Sequence, residues 1–219
     1  MIQTAGHGLG ELLEHITGFI YPNEIEIHWS ILIVVYPYIT GLVAGAFILA
    51  SLVKIFNVKA LQPTYRLSLL TALAFLLIAP LPLLLHLGRP ERFYEILLTP
   101  NVTSAMAMFG FVYAWYLMGV LLLEIWFEYR RDLVVLAGQG RGVLRQIHRA
   151  LSLYSTDVSD AARAFDRKAI RAITVIGIPS AFLLHGYVGF IFGSVKANPW
   201  WSSVLMPIVF LMSAIVSGI

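Results

Sequence analysis

Apolar residues fall into five long uncharged runs, separated by short polar stretches and one long basic one. The runs cover roughly Ser30–Val53, Leu67–Leu87, Val102–Leu123, Ala172–Phe192 and Ser203–Ile219. A helix needs about 20 apolar residues to cross the hydrocarbon of a bilayer. The first four runs meet that length, and each predicts a spanning helix. The fifth reaches Ile219 without a polar cap, a charge or an aromatic anchor, and predicts a span that belongs to a longer protein. Ahead of the first run, Leu9, Leu12, Leu13, Ile16, Phe19 and Ile20 recur at helical spacing, with Glu11, Glu14 and His15 between them. That pattern predicts a short helix lying on the membrane surface. The expected organisation is an N-terminal segment, 1–29, followed by a transmembrane domain, 30–219, of all-α, polytopic helix-bundle class. Between the third and fourth spans, 128–170 carries three stretches that read as helical, Leu133–Ala137, Val143–Leu153 and Val158–Ala169.

Composition agrees with the pattern. Hydrophobic residues make up 59% of the chain and charged residues 12%, whereas a soluble domain sits near half and a quarter. The chain has no cysteine. It therefore holds no iron–sulfur cluster on its own and attaches no c-type haem. The N-terminus lacks a basic region followed by an apolar core, so no cleavable signal peptide is expected.

Charge orients the spans. Twelve of the fifteen basic residues lie in the segments after the first and third spans: Lys54, Lys59, Arg66, Arg130, Arg131, Arg141, Arg145, Arg149, Arg163, Arg167, Lys168 and Arg171. The other side holds Arg89, Arg92 and Lys196. The positive-inside rule places 54–66 and 128–171 in the cytoplasm and the N-terminus outside, in a multi-pass protein of the cell inner membrane. The net charge of +3 then reflects topology and gives no argument for nucleic acid. The basic loop reads as a cytoplasmic anchor on anionic headgroups of the lipid bilayer, or as a docking surface for a cytoplasmic partner.

Orientation assigns depth. His185 and Tyr187 fall in the outer third of the fourth span, Tyr36 and Tyr38 in the outer third of the first, and His86 at the outer end of the second. His28 and Trp29 sit at the surface, and Arg89, Glu91, Arg92 and Glu95 follow His86 in the outer loop. The inner halves carry little besides Glu124. Pro37, Pro80, Pro82 and Pro207 also fall on the outer side, where broken helix favours a cavity. Gly177, Ala181, His185, Gly189 and Gly193 form a stripe of small residues on one helix face. Pro37, Gly41 and Gly45 give the first span a similar face. His185 is thus expected to face protein, and an ionisable group at that depth marks a functional site. Arg89 and Glu91 are expected to pair, or to act at the cavity mouth.

The pattern admits several chemistries. His86 and His185 form a possible pair for a b-type haem. A metal site lacks two ligands at helical spacing. A hydrophobic pocket rimmed by histidine, tyrosine and arginine suits a quinone, whose carbonyls need donors and whose quinol releases two protons on oxidation.

Two motifs carry a family resemblance. Leu85-His86-Leu87-Gly88-Arg89-Pro90-Glu91-Arg92-Phe93, followed by Thr99-Pro100-Asn101-Val102-Thr103-Ser104-Ala105-Met106, resembles the signature of NrfD-like membrane subunits, the polysulfide reductase group. Gly177 through Tyr187, Lys196 through Trp201 and Ser213 through Gly218 are similar to its DsrP-type branch, from the Dsr transmembrane complex. The resemblance implies the first half of a fold of about eight to ten spans. It implies a menaquinol-binding subunit with no haem, iron–sulfur cluster or metal of its own. Such a subunit is one component of a menaquinol-oxidising oxidoreductase in sulfur-compound metabolism. The implied partners are an outward-facing iron–sulfur subunit, a multihaem cytochrome c, a cytochrome b-type membrane subunit and a cytoplasmic iron–sulfur subunit. His185 and Tyr187 become candidate catalytic groups, and Tyr36, His86 and Arg89 join them as candidate quinone-binding residues. Arg89, Glu91, Arg92, Asn198 and Trp200 become candidate docking residues. The alternatives are a proton- or ion-translocating subunit using His185 and Glu124, and a purely structural anchor.

Overall fold

The computed structural model describes residues 30–87, 89–99, 101–195 and 199–218. The surface helix expected within 1–29, His28, Trp29 and Asn198 lie outside these residues. The described residues are helical throughout, with turns between, and four of the helices are long and apolar enough to cross a membrane. The polytopic all-α bundle is therefore the observed fold class.

Helix α1, Ile31–Lys54, is the hub. Ser30 caps its start by accepting from the Leu32 N–H at 3.3 Å, and Lys54 stands in its last turn, where the helix dipole favours a cation. A 3₁₀ turn, Lys59–Thr64, leads into α2, Tyr65–Ile78, and α3, Pro80–His86. The break between α2 and α3 follows from Pro80, which has no N–H to give the Leu76 carbonyl four residues back. The Tyr113 hydroxyl donates to that carbonyl instead. Pro90–Arg92 and α4, Glu95–Leu98, form the connecting loop.

The third span is composite. It begins as α5, Ala105–Ala114, passes through a π-helical segment, Trp115–Leu122, and continues as α6, Leu123–Gln139. Helix α7, Gly142–Leu151, is short and amphipathic, and α8, Asp160–Gly193, runs for 34 residues. At about 1.5 Å per residue α8 exceeds the hydrocarbon thickness by some 20 Å. The stretches expected to be helical at 133–137 and 158–169 are thus parts of the spanning helices, the second from Asp160 onward. Extending an existing helix needs no new nucleus. Of the three, 143–153 forms an independent helix, ending at Leu151.

The fifth apolar run forms α9, Met206–Gly218, of 13 residues. Helix α9 packs against both α1 and α8. The small stripe on α8 explains the approach. A methyl on Gly189 would stand 2.7 Å from Pro207 Cα and 2.8 Å from the Met206 carbonyl oxygen, both backbone atoms. A methyl on Gly177 would meet the Phe47 ring. Gly189→Ala is expected to lower the stability of the assembled protein by about 1–3 kcal/mol, read as a lower thermal midpoint; an unchanged midpoint would refute the close α8–α9 seam.

Candidate functional site

Pro37 and the small residues of α1 shape the end of the bundle opposite the basic side. Pro37 sits inside α1. One turn on, the Thr40 hydroxyl is 3.0 Å from the Pro37 carbonyl oxygen and 3.3 Å from that of Tyr36. The same oxygen lies 3.3 Å from His185 Nδ1, a hydrogen bond whose donor depends on the histidine tautomer. His185 is 2% exposed and its ring leans on Phe210 of α9. The histidine therefore faces protein, as its stripe requires, and is held between α1 and α9.

Tyr187 lies two residues from His185 and so points some 200° away around the helix. Its ring stacks on Phe109 of α5, centroids 6.0 Å apart. Phe109 in turn meets the Tyr36 ring edge-on at 5.8 Å. Tyr36 and Tyr187 thus share an aromatic wall through Phe109, while His185 reaches the same helix face through Thr40. Tyr36 is 4% exposed, and among the described residues its hydroxyl has no hydrogen-bond partner. Tyr38, in contrast, is exposed.

The other candidates lie further out. His86 Nδ1 is 3.2 Å from the Ser30 hydroxyl. Ser30 and Thr40 are ten residues apart along α1, about 15 Å of rise, so the two histidines stand at different depths and do not meet. Arg89, Glu91 and Arg92 are exposed in the loop. The expected pair of Arg89 with Glu91 gives way to Arg92 with Glu95, joined through Nε and Nη2 at 2.7 and 2.8 Å. The reason is local: Pro90–Arg92 forms a tight turn that runs into α4, placing Arg92 and Glu95 three apart on one helical surface. Trp200 is exposed beyond α8.

The basic end is richer than the sequence suggests. Glu124, expected near the inner end of the third span, lies close to charged pairs formed by residues of the segments expected in the cytoplasm. Glu124 is fully buried and accepts from the Tyr65 hydroxyl at 2.9 Å. Lys54 bonds Glu128 at 3.1 Å, and Arg66 bonds Glu128 at 2.9 Å and Asp132 at 2.7 Å. Arg130 holds Asp166 of α8 through Nε and Nη2. Pro179 of α8 lies in the half of the apolar run 172–192 nearer the basic end, so prolines within the spans are not confined to the opposite side. Thr40, Tyr65, Phe109 and Tyr113 are the residues that sequence reasoning missed. The only signal was weak: polar side chains one helical turn from a proline or from an acidic residue's expected depth.

An apolar groove of about 260 Å³ runs between α1, α8 and α9. Its walls include Ala44, Phe47, Ile178, Ala181 and Ala214. It begins one turn from His185, at Ala181.

Comparison with known proteins gives these features a context. The family model described as polysulphide reductase, NrfD, matches residues 22–219. The chain is 36% identical over 195 residues to a selenate reductase subunit of Mesobacillus selenatarsenatis, covering 87% of this chain and 46% of that protein. It is 32% identical over 198 residues to a putative dimethyl sulfoxide reductase membrane subunit of Halobacterium salinarum, covering 87% and 41%. It is 24% identical over 194 residues to an Hdr-like menaquinol oxidoreductase integral membrane subunit of Archaeoglobus fulgidus, covering 89% and 40%. The chain thus spans less than half the length of these three relatives.

Proposed function

Since the chain belongs to the polysulphide reductase NrfD family of membrane subunits, we propose that it binds menaquinol in an oxidoreductase complex and supports its oxidation near the outer face. The observation that carries this reading is the Tyr36 hydroxyl, buried beside Phe109 and without a partner among the described residues. A buried hydroxyl without a hydrogen bond is costly, and a flat ring bearing oxygens would satisfy it. Phe109 and Tyr187 offer that ring an aromatic wall. The apolar groove below Ala181 suits a prenyl tail.

Oxidation of the quinol releases two electrons and two protons. The electrons pass to an iron–sulfur cluster in a partner subunit, because this chain has no cysteine with which to hold one. The protons need acceptors. Thr40 stands one turn from Tyr36 on the same face of α1, and its hydroxyl links that side to His185 Nδ1. A neutral imidazole there receives a proton at one ring nitrogen. Outward placement of the site follows from the positive-inside rule, with the N-terminus outside the inner membrane.

The finer assignment is to sulfur-compound metabolism in a DsrP-type complex. Its further partners would be the multihaem cytochrome c, the cytochrome b-type membrane subunit and the cytoplasmic iron–sulfur subunit of such complexes. The name of the Archaeoglobus relative supports menaquinol as substrate. Arg89, Glu91, Arg92 and Trp200 would form the outward docking surface, with His86 and Arg89 at its boundary with the bilayer.

Tyr36→Phe tests the reading. The variant loses one donor to the quinone ring and keeps the Phe109 contact. In the complete complex the KM for a soluble menaquinol analogue is expected to rise about fivefold, the equivalent of one hydrogen bond. An unchanged KM would place the headgroup elsewhere and favour an anchoring subunit.

A further inference from the structure

The basic end holds a second titratable assembly that quinol oxidation does not use. Glu124 opens α6, directly after the π-helical segment. Oε1 accepts from Tyr65 and the Thr174 hydroxyl lies within reach of the carboxylate, but among the described residues no cation bonds it, and the nearby Tyr116 hydroxyl has no partner there. An ionised carboxylate has about four lone-pair sites to satisfy, and leaving them bare in an apolar interior is expensive. A structural carboxylate would be paired with a cation. Here the neighbouring cation is committed elsewhere: Lys54 bonds Glu128 at 3.1 Å, with its ammonium 3.9 Å from the Tyr65 ring centroid.

Every element around Glu124 contributes to its surroundings. Helix α1 presents Lys54, α2 presents Tyr65, the π-helical segment presents Tyr116, and α6 itself presents Glu128 one turn on. Helix α8 presents Thr174, whose hydroxyl donates to the Ile170 carbonyl at 2.8 Å. The assembly forms a gradient toward water. Glu124 and Tyr65 are 0% and 1% exposed. The side chains of Glu128 and Lys54 are 14% and 23% exposed, and those of Asp132 and Arg66 45% and 47%.

We propose that Glu124 is a proton-exchanging carboxyl, loaded from and discharged to the water at the basic end through the Tyr65 hydroxyl and the Lys54–Glu128–Arg66–Asp132 cluster. A phenolic hydroxyl both donates and accepts. Hydronium at the surface delivers a proton to the cluster. As the Tyr65 oxygen receives one proton from that side, its own proton passes to Glu124 Oε1 across the 2.9 Å hydrogen bond. Tyr65 ends unchanged, the carboxylate becomes a carboxylic acid, and one positive charge has moved inward. Discharge is the reverse. The exchange is independent of the quinol site and stands or falls without it.

The test uses the complete complex in native membranes with no quinol added. Dicyclohexylcarbodiimide attacks protonated carboxyls in apolar surroundings. Mass spectrometry of the wild type is expected to find Glu124 modified at low pH and protected at high pH. In infrared pH-jump spectra, a buried carboxylic-acid band is expected that Glu124→Gln removes. In Tyr65→Phe the band should remain while its response to the jump slows about tenfold or more, the loss of one relay hydrogen bond. Should Glu124→Gln fail to assemble, the wild-type labelling and Tyr65→Phe still decide. Glu124 unmodified at every pH, or wild-type exchange in Tyr65→Phe, would overturn the proposal.

Discussion

His185→Ala is expected to lower quinol-driven reduction of the iron–sulfur partner by about 10²–10⁴-fold, the usual worth of a positioned general base. Quinol affinity should change far less, by about fivefold for one hydrogen bond. The difference between the two is the informative quantity. His185 is buried, linked to Thr40 at 3.3 Å and braced by Phe210. If it only packs, alanine lowers stability and leaves the turnover of assembled complex within twofold. If it accepts the proton, kcat falls far more than KM rises. Thr40→Val separates the routes further. It removes the hydroxyl that joins the Tyr36 side of α1 to His185, so it should reduce kcat in the same direction and by a smaller factor. Wild-type turnover in both variants would assign proton release to another group.

The second large effect concerns stability. Arg130→Met is expected to cost about 3–5 kcal/mol, because it leaves the Asp166 carboxylate buried and uncompensated. The pair joins α6 to α8, with side chains only 8% and 10% exposed. Arg130 bonds Asp166 at 2.7 and 2.9 Å and also reaches the Ser155 hydroxyl and the Asp157 carbonyl oxygen. One guanidinium therefore holds the connection between α7 and α8 as well. The double variant Arg130→Met with Asp166→Leu should recover much of the loss, since replacing both ions removes the unpaired charge. Thermal unfolding of the assembled complex measures both. Equal loss in single and double variants would show that the loop contacts matter more than the ion pair.

The spans were legible in the sequence because long uncharged runs have few solutions other than membrane helices. The inward face of His185 was legible for the same kind of reason: Gly177, Ala181, Gly189 and Gly193 repeat at one helical period. What partners those residues was not legible. Thr40 and His185 are 145 positions apart, Tyr65 and Glu124 59, and Arg130 and Asp166 36. Each meeting depends on which helix packs beside which, and hydropathy does not encode that. Glu124 was legible near the inner end of the third span, but its neighbours Tyr65 and Thr174 were not, because they carry no charge and a tyrosine near an interface reads as a belt residue. His185 and Tyr187 looked like one cluster because they share a depth, yet two residues on a helix point almost oppositely. The π-helical segment had no signature at all.

That segment sets the rotational phase of the third span. Within Trp115–Leu122 the backbone bonds i to i+5, accommodating residues that a regular α-helix would distribute differently around its axis. Everything after it is turned relative to everything before. Losing a single residue there would let the helix close into ordinary bonding and swing the lower part by roughly 100°. Phe109 would keep its place beside Tyr36, while Glu124 and Glu128 would swing away from Tyr65 and Lys54. A one-residue length change in these eight positions therefore acts as a dial between the two ends of the molecule. Chains that differ only there would share the aromatic wall and have unrelated faces at the basic end.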